Sequence, residues 1–206
     1  MNEVQLLNSL ANSRIIPIID PTDRESTLDI IDALIQGGAK HIEITFRSQL
    51  AIEVFKAIRD RDTSLIMGAG SIINLTQYEL ARNLGADFTI SPGFDKDLQK
   101  FIKDDETIHV PGIATPSELI TARNSGVKLV KYFPAIASGG FRTLKDLSRI
   151  FPDMFFMPSG GISKSDLHGF AKIKQVASVG GSWMFKDHLN ISVQKEMREA
   201  IELMCI

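Results

Sequence analysis

The amino-acid sequence predicts an α/β protein, a single (β/α)8 TIM barrel with an extra N-terminal helix. Short β-rich runs alternate with helix-patterned segments along the whole chain. One of those runs also places polar residues on a single face. Alternation of strands and helices indicates parallel βαβ units. We find no linker, low-complexity tract or second domain, so we expect one domain over residues 1–206.

Eight runs are predicted to be strands, with room for one helix after each. They lie at 14–20, 41–47, 64–70, 87–93, 107–113, 129–135, 155–161 and 176–182. An amphipathic segment at 2–12 predicts one or two extra helical turns before the first strand.

Capping signals support the intervening helices. The segment 115–126 opens with Thr115 as N-cap, Pro116 at the first helical position and Glu118 three residues after the cap, and it closes at a glycine. The segment 74–85 repeats this logic. Both patterns are typical of helix boundaries.

The polarity of the second strand separates two ways of arranging the parallel strands. Glu43, Thr45 and Arg47 share one face of the run 41–47. In an open doubly wound sheet, both faces lie under helices and are apolar. A barrel instead has an interior whose upper end holds the active site. The polar face therefore favours the barrel.

Composition excludes several function classes. The chain has 206 residues and a net charge of −2, which gives no electrostatic case for nucleic acid or an anionic membrane. It lacks a signal-peptide pattern and an apolar run of the roughly 18 residues expected of a membrane span. The single cysteine, Cys205, fits the cytoplasm. The four histidines are scattered, so no metal site is predicted.

Lys131 is the candidate nucleophile. It lies in the apolar run 129–135, on the same face as Leu129 and Phe133. Burial disfavours an ammonium, and a neutral amine in a dry pocket attacks ketones to form a Schiff base. A lysine that pairs with a carboxylate or reaches solvent is the alternative.

Strand two supplies the candidate partners of that amine. Glu43 suits the proton transfers of carbinolamine dehydration and carbon–carbon cleavage. Arg47 suits a substrate carboxylate, because a guanidinium binds it through two parallel hydrogen bonds. Glu43 could instead be a structural partner of Arg47 or Lys131, and Arg47 could form a surface ion pair at the rim.

Two glycine turns follow the last two predicted strands, at 158–166 and 178–183. Their backbone amides can surround a phosphate, and this is the usual phosphate site of a barrel. Glycine also simply permits tight connections, which is the alternative.

Seven motifs occur in the order typical of one family: "GAKHIEITFRS", "MGAGSI", "ISPGFD", "VPGIATPSE", "KLVKYFPA", "MPSGGIS" and "VGGSW". Together they resemble the 2-keto-3-deoxy-6-phosphogluconate (KDPG) and 4-hydroxy-2-oxoglutarate (KHG) aldolases, over residues 13–185. The resemblance implies a homotrimeric class I aldolase of carbohydrate metabolism. It also implies that no metal or other cofactor takes part in the reaction.

The resemblance also implies roles for individual residues. Lys131 would form the Schiff base and Glu43 would be the general acid and base. The implied substrate-binding residues are Arg47 and Ser71 for the pyruvyl carboxylate, Pro92 and Phe133 for the pocket wall, and Ser159, Gly160, Gly161, Gly180, Gly181 and Ser182 around the distal, phosphorylated end. The hydroxyl of Ser159 favours the gluconate over the galactonate epimer.

The predicted reaction is the cleavage of KDPG, the Entner–Doudoroff keto-acid phosphate, to pyruvate and glyceraldehyde 3-phosphate. The same imine chemistry on 4-hydroxy-2-oxoglutarate or the galactonate epimer, or decarboxylation of oxaloacetate, is the nearest alternative. An isomerase or epimerase acting on a phosphosugar without an imine is a more distant one.

Overall fold

The computed structural model describes residues 1–61, 64–102, 105–186 and 190–205. The strands are β1 Ile15–Ile19, β2 His41–Thr45, β3 Ile66–Gly70, β4 Phe88–Ile90, β5 Ile108–Val110, β6 Gly112–Ile113, β7 Leu129–Tyr132, β8 Phe155–Pro158 and β9 Val179–Gly181. Every predicted strand position therefore contains a strand, and the fifth contains two.

The helices alternate with the strands as predicted. They are α1 Glu3–Ser13, α2 Arg24–Gln36, α3 Gln49–Arg59, α4 Leu75–Asn83, α5 Lys96–Phe101, α6 Pro116–Asn124, α7 Gly140–Ile150, α8 Leu167–Ala171 and α9 Asn190–Met204. None of the helices in the described part of the chain is long and apolar enough to cross a membrane.

The strands pair in parallel throughout. A six-stranded sheet has the order β5-β4-β3-β2-β1-β9, and a three-stranded sheet has the order β6-β7-β8. The break between β5 and β6 falls at Pro111, which has no amide hydrogen to donate to a neighbouring strand. Between the regions of β8 and β9, the described pairing consists of isolated bridges, Phe156 with Val176 and Ser159 with Gly180. The predicted parallel α/β architecture is confirmed, whereas a continuous eight-stranded ladder is not.

Local capping explains where the helices begin. The Thr115 side chain accepts a hydrogen bond from the Glu118 amide (3.3 Å), and the Glu118 carboxylate accepts one from the Thr115 amide (2.8 Å). The predicted start of α6 is therefore confirmed. At α1, Asn2 and Gln5 form the same reciprocal box, and the helix runs to Ser13. The predicted segment 2–12 is therefore helical, and the helix has about three turns rather than one or two.

Two apolar clusters show which face of the sheet the helices cover. The larger cluster joins strand residues such as Ile44 and Val130 to the surrounding helices. The smaller cluster contains Leu129 on the opposite, inner face, together with Leu6 and Leu10 of α1. Helix α1 therefore covers the inner face near the amino ends of the strands, and the carboxyl ends stay open.

Candidate active site

A cavity of about 220 Å³ opens at the carboxyl ends of β1, β2, β7, β8 and β9. Nine of the twelve predicted site residues line it: Glu43, Arg47, Lys131, Phe133, Ser159, Gly160, Gly161, Gly181 and Ser182. A larger groove of about 640 Å³ lies beside α1 and β5, and it contains none of the twelve. The predicted site residues therefore lie in the smaller of these two cavities.

Lys131 and Glu43 form a buried ion pair on the wall of the cavity. The Nζ atom of Lys131 lies 2.9 Å from Oε1 and 3.3 Å from Oε2 of Glu43. Lys131 is 6% exposed and Glu43 is 0% exposed. A buried ion pair seldom stabilises a fold more than apolar packing of the same size would. An amine beside a carboxylate, both facing a cavity, instead provides a nucleophile with an acid or base next to it.

Strand alternation explains how these two side chains meet. Leu129 lies in the inner cluster, whereas Val130 and Tyr132 lie in the outer one. Lys131 consequently points inward, as predicted. Glu43 points inward from β2, at the same level as Gly68 of β3.

Gly70 leaves the space that the Glu43 carboxylate occupies. A Cβ atom at position 70 would lie 2.2 Å from Oε1 of Glu43 and 2.7 Å from its Cγ. Real Cβ atoms do not approach other atoms so closely, so any larger residue would displace the carboxylate. The third strand thus positions Glu43, although none of its residues lines the cavity.

Phe133 lies next to the lysine. Its ring centroid is 5.4 Å from Nζ of Lys131, within range of a cation–π interaction. The ring also packs on Gly160, where a Cβ atom would lie 2.9 Å from ring atom Cδ2. Gly160 has a φ of 98°, in the left-handed region, so glycine is required here for both space and backbone conformation.

Arg47 lies at the rim, held by two neighbours. Its Nη1 atom is 3.2 Å from Oδ2 of Asp20, and its Nε donates to Oγ of Ser71 at 2.9 Å. Thr45 donates to the other oxygen of Asp20 at 2.7 Å. The Arg47 and Asp20 side chains are 58% and 53% exposed. Arg47 can therefore exchange Asp20 for a ligand carboxylate at little cost, because exposed ion pairs are weak.

Ser159 presents an unused hydroxyl. The residue is 1% exposed and lines the cavity, and its Oγ has no hydrogen-bond partner among the described residues. A buried polar atom without a partner costs free energy, so such a hydroxyl suits a ligand that supplies the missing hydrogen bond.

The two glycine turns offer backbone donors beside that hydroxyl. The amides of Gly161 and Ser182 have no acceptor within the ranges that the structure describes. Gly161 has a φ of 75°, which glycine adopts without strain. Gly181 has no room for a Cβ atom, which would lie 1.9 Å from the Trp183 ring. This end of the cavity therefore carries free donors suited to an anion.

Three predicted site residues do not line the cavity. Ser71 accepts a hydrogen bond from Arg47. Gly180 pairs with Ser159 in a parallel bridge, and a Cβ atom at position 180 would be 3.1 Å from the Cβ of Ser159. Pro92 is exposed at the end of β4, and its carbonyl packs against Gly112.

Other cavity residues were missed from the sequence, namely Ile18, Thr45, Ile162, Ser163 and Lys186. Thr45 stood on the predicted polar face and could have been found by alternation. Lys186 follows the last turn outside any motif, so no sequence signal pointed to it.

Two histidines, the buried His41 and the partly buried His109, lie away from the cavity. Burial lowers the pKa of His41 to about 4, although nearby Asp87 opposes this. Burial likewise lowers the pKa of His109 to about 4. No group of three or more potential metal ligands was found among the described residues, and His188 lies outside them.

Sequence comparisons with known proteins identify one family. The sequence model of the KDPG and KHG aldolases matches residues 6–202. The KHG/KDPG aldolase of Escherichia coli is 33% identical over 198 residues, covering 94% of this chain and 93% of the relative. The 2-dehydro-3-deoxy-phosphogluconate aldolase of Pseudomonas aeruginosa is 33% identical over 195 residues, covering 92% and 89% of the two chains.

A solved structure adds a chemical observation. The KDPG aldolase of Legionella pneumophila has a TM-score of 0.83 and 32% identity to this chain, covering 95% of this chain and 94% of its own. That crystal contains pyruvate captured at low pH as a covalent carbinolamine intermediate.

Proposed function

The chain belongs to the KDPG and KHG aldolase family and is therefore a lyase, and we propose that it cleaves KDPG through a Schiff base on Lys131. The products are pyruvate and glyceraldehyde 3-phosphate. The observation that carries this proposal is the 2.9 Å contact between Lys131 Nζ and Glu43 Oε1 on the buried wall of the cavity. The captured carbinolamine in the Legionella relative supports the same class of chemistry.

The first half of the reaction forms the imine. Lys131 transfers a proton to Glu43, and its neutral amine attacks the C2 ketone of the substrate to give a carbinolamine. Glu43 returns a proton to the departing hydroxyl, which leaves as water. The resulting iminium draws electrons from the C3–C4 bond.

The second half breaks the carbon skeleton. Glu43 accepts the proton of the C4 hydroxyl, the C3–C4 bond breaks, and C4 becomes the aldehyde of glyceraldehyde 3-phosphate. The bonding electrons move through C3 to the iminium nitrogen and leave an enamine. A proton is added at C3, water attacks the iminium, and pyruvate is released from Lys131.

The rest of the cavity orients the substrate in this proposal. Arg47, supported by Ser71, binds the carboxylate next to C2, because its guanidinium matches carboxylate geometry. The amides of Gly161 and Ser182 bind the phosphate at the other end. The unpartnered hydroxyl of Ser159 bonds a substrate oxygen between them and supports the preference for the gluconate epimer.

Borohydride trapping tests the imine. The protein is incubated with pyruvate and sodium borohydride, and its intact mass is measured. We expect the mass of one reduced pyruvate on the wild type and none on Lys131→Ala. No adduct on the wild type, or an adduct that survives Lys131→Ala, overturns the assignment. Loss of trapping in the variant counts only if its circular dichroism matches that of the wild type.

Kinetics test the substrate. We expect the highest kcat/KM with KDPG, compared with the galactonate epimer, 4-hydroxy-2-oxoglutarate and oxaloacetate. Activity in the presence of a chelator tests the prediction that the reaction needs no metal. A higher kcat/KM with an unphosphorylated acid would reassign the substrate and leave the imine chemistry intact.

We further propose that the two sheets are parts of one eight-stranded barrel in a single domain over residues 1–206. Isolated bridges between the regions of β8 and β9 and the chain continuity through Pro111 support this closure. The homotrimer and the cytoplasmic location stay predictions. Sedimentation equilibrium tests the first and cell fractionation the second.

A further inference from the structure

We propose that Lys186 binds the substrate phosphate and makes this cavity prefer phosphorylated keto acids to unphosphorylated ones. This inference rests on the proposed function, since it assigns a residue to the same site. Lys186 lies outside the motifs quoted above, and the evidence for it is its position and its charge.

Lys186 lies at the end of the cavity formed by the glycine turns. A short 3₁₀ turn, Trp183–Phe185, connects it to Ser182. Lys186 lines the cavity together with Lys131, Gly161 and Ser182. The side chain is exposed, so its four-carbon stem is free to bring the ammonium to a ligand.

The charges of the cavity are balanced except at this position. Lys131 is paired with Glu43, and Arg47 is paired with Asp20. Lys186 has no carboxylate within 4.0 Å among the described residues. The described part of the cavity therefore has its unbalanced positive charge at the end formed by the glycine turns.

Lys164 shows that an adjacent lysine is not equivalent. It follows the cavity residue Ser163, yet its ammonium bonds to Glu196 and Glu199 on α9. Hydrogen bonding to Glu199 and, to a smaller extent, to Glu196 raises the pKa of Lys164, and the two carboxylates neutralise its charge locally. Of these two lysines, Lys186 is the one with a charge available to a ligand.

A full charge at this end changes which ligands the cavity favours. Backbone amides contribute only partial charges, which bind neutral hydroxyls as well as anions. A phosphate dianion beside an ammonium gains charge-assisted hydrogen bonds, which are stronger than hydrogen bonds between neutral groups. A keto acid without the phosphate gains nothing from Lys186, so the lysine acts on specificity rather than on the chemical step.

The variant Lys186→Gln tests this role by steady-state kinetics. We expect kcat/KM for KDPG to fall about tenfold, mainly through KM, and its dependence on salt concentration to weaken. With 4-hydroxy-2-oxoglutarate, kcat/KM should change by less than about twofold. Lys186→Arg should keep most of the preference. The matched control is Lys172→Gln, which removes an exposed lysine that does not line the cavity.

Equal losses on both substrates, or no loss on either, would overturn the proposal. Calorimetric titration with glycerol 3-phosphate provides a readout that needs no turnover. We expect weaker binding to Lys186→Gln than to the wild type and to Lys172→Gln. Unchanged binding rejects the role of Lys186 even if catalysis is confirmed. Absence of a pyruvate adduct on the wild type rejects the imine chemistry alone, because this titration does not depend on it.

Discussion

Strand β2 holds two buried ionisable side chains on the same face, and their surroundings differ. His41, at the amino end, accepts or donates one hydrogen bond at 3.0 Å to Ser9 of α1, and its Nδ1 has no partner among the described residues. Glu43, two residues later, faces the ammonium of Lys131 and an open cavity. Burial without an ion-paired partner leaves His41 a neutral packing group, whereas the ion pair of Glu43 with Lys131 beside a cavity is a reactive one.

Removing the carboxylate of Glu43 is the strongest test of this difference between Glu43 and His41. Glu43→Gln keeps the shape of the side chain but cannot accept a proton. We expect kcat for KDPG cleavage to fall by about 10²- to 10⁴-fold, the usual contribution of a general acid or base. Steady-state rates measure this, and exchange of the pyruvate methyl protons in D₂O should slow in parallel. A variant with nearly wild-type exchange would remove Glu43 from the proton transfers.

Acid tests the contribution of His41, the buried side chain at the amino end of β2. The pKa of His41 falls from 6.5 in the unfolded chain to about 4 in the folded protein. Between these values the unfolded chain binds a proton that the folded protein does not, so stability present above pH 6.5 is lost as the pH falls towards 4. The loss from this residue is about 2 kcal/mol between pH 7 and pH 5.

Urea unfolding of His41→Gln at several pH values measures this effect. We expect its free energy of unfolding to fall less between pH 7 and pH 5 than that of the wild type, by about 2 kcal/mol. His168→Gln, at an exposed position, is the control and should follow the wild type. Parallel curves for all three proteins would show that His41 does not contribute to acid sensitivity.

Gly70 of β3 leaves the space in which the Glu43 carboxylate meets Lys131. In Gly70→Ala the new methyl group displaces the Glu43 carboxylate, which it would otherwise approach to 2.2 Å. We expect kcat to fall about tenfold, since a small misplacement of a catalytic group is costly. Gly93→Ala is the matched control, because no atom lies within 4 Å of a Cβ there. Equal activity of the two variants would show that Glu43 tolerates the displacement.

We expect the smallest effect from a change in the exposed ion pair between Arg47 and Asp20. Asp20→Asn removes one charge next to Arg47, and both side chains are about half exposed. We expect the free energy of unfolding to change by less than about 1 kcal/mol, since exposed ion pairs contribute little. The KM for KDPG should fall, because Asp20 no longer competes with the substrate carboxylate. A higher KM would mean that Asp20 orients Arg47 for the substrate instead.

The local features of this protein were predictable from its sequence. Alternation with period two placed Lys131 on the inner face, and capping residues located the start of α6. Both follow from interactions within a few residues along the chain, which is why a linear pattern contains them. The order of seven short motifs then indicated the family and suggested most of the residues that line the cavity.

Only the tertiary structure decided which groups meet. Lys131 and Glu43 are 88 residues apart, and their 2.9 Å contact depends on how the two sheets face each other. Asp20 beside Arg47 and Lys186 at the glycine turns have no sequence signature, because each reaches the site through the path of a loop. The interruption between β5 and β6 at Pro111 likewise depends on the neighbouring strands, since β5 pairs with β4 and β6 pairs with β7. Such contacts follow from long-range packing, which local periodicity does not encode.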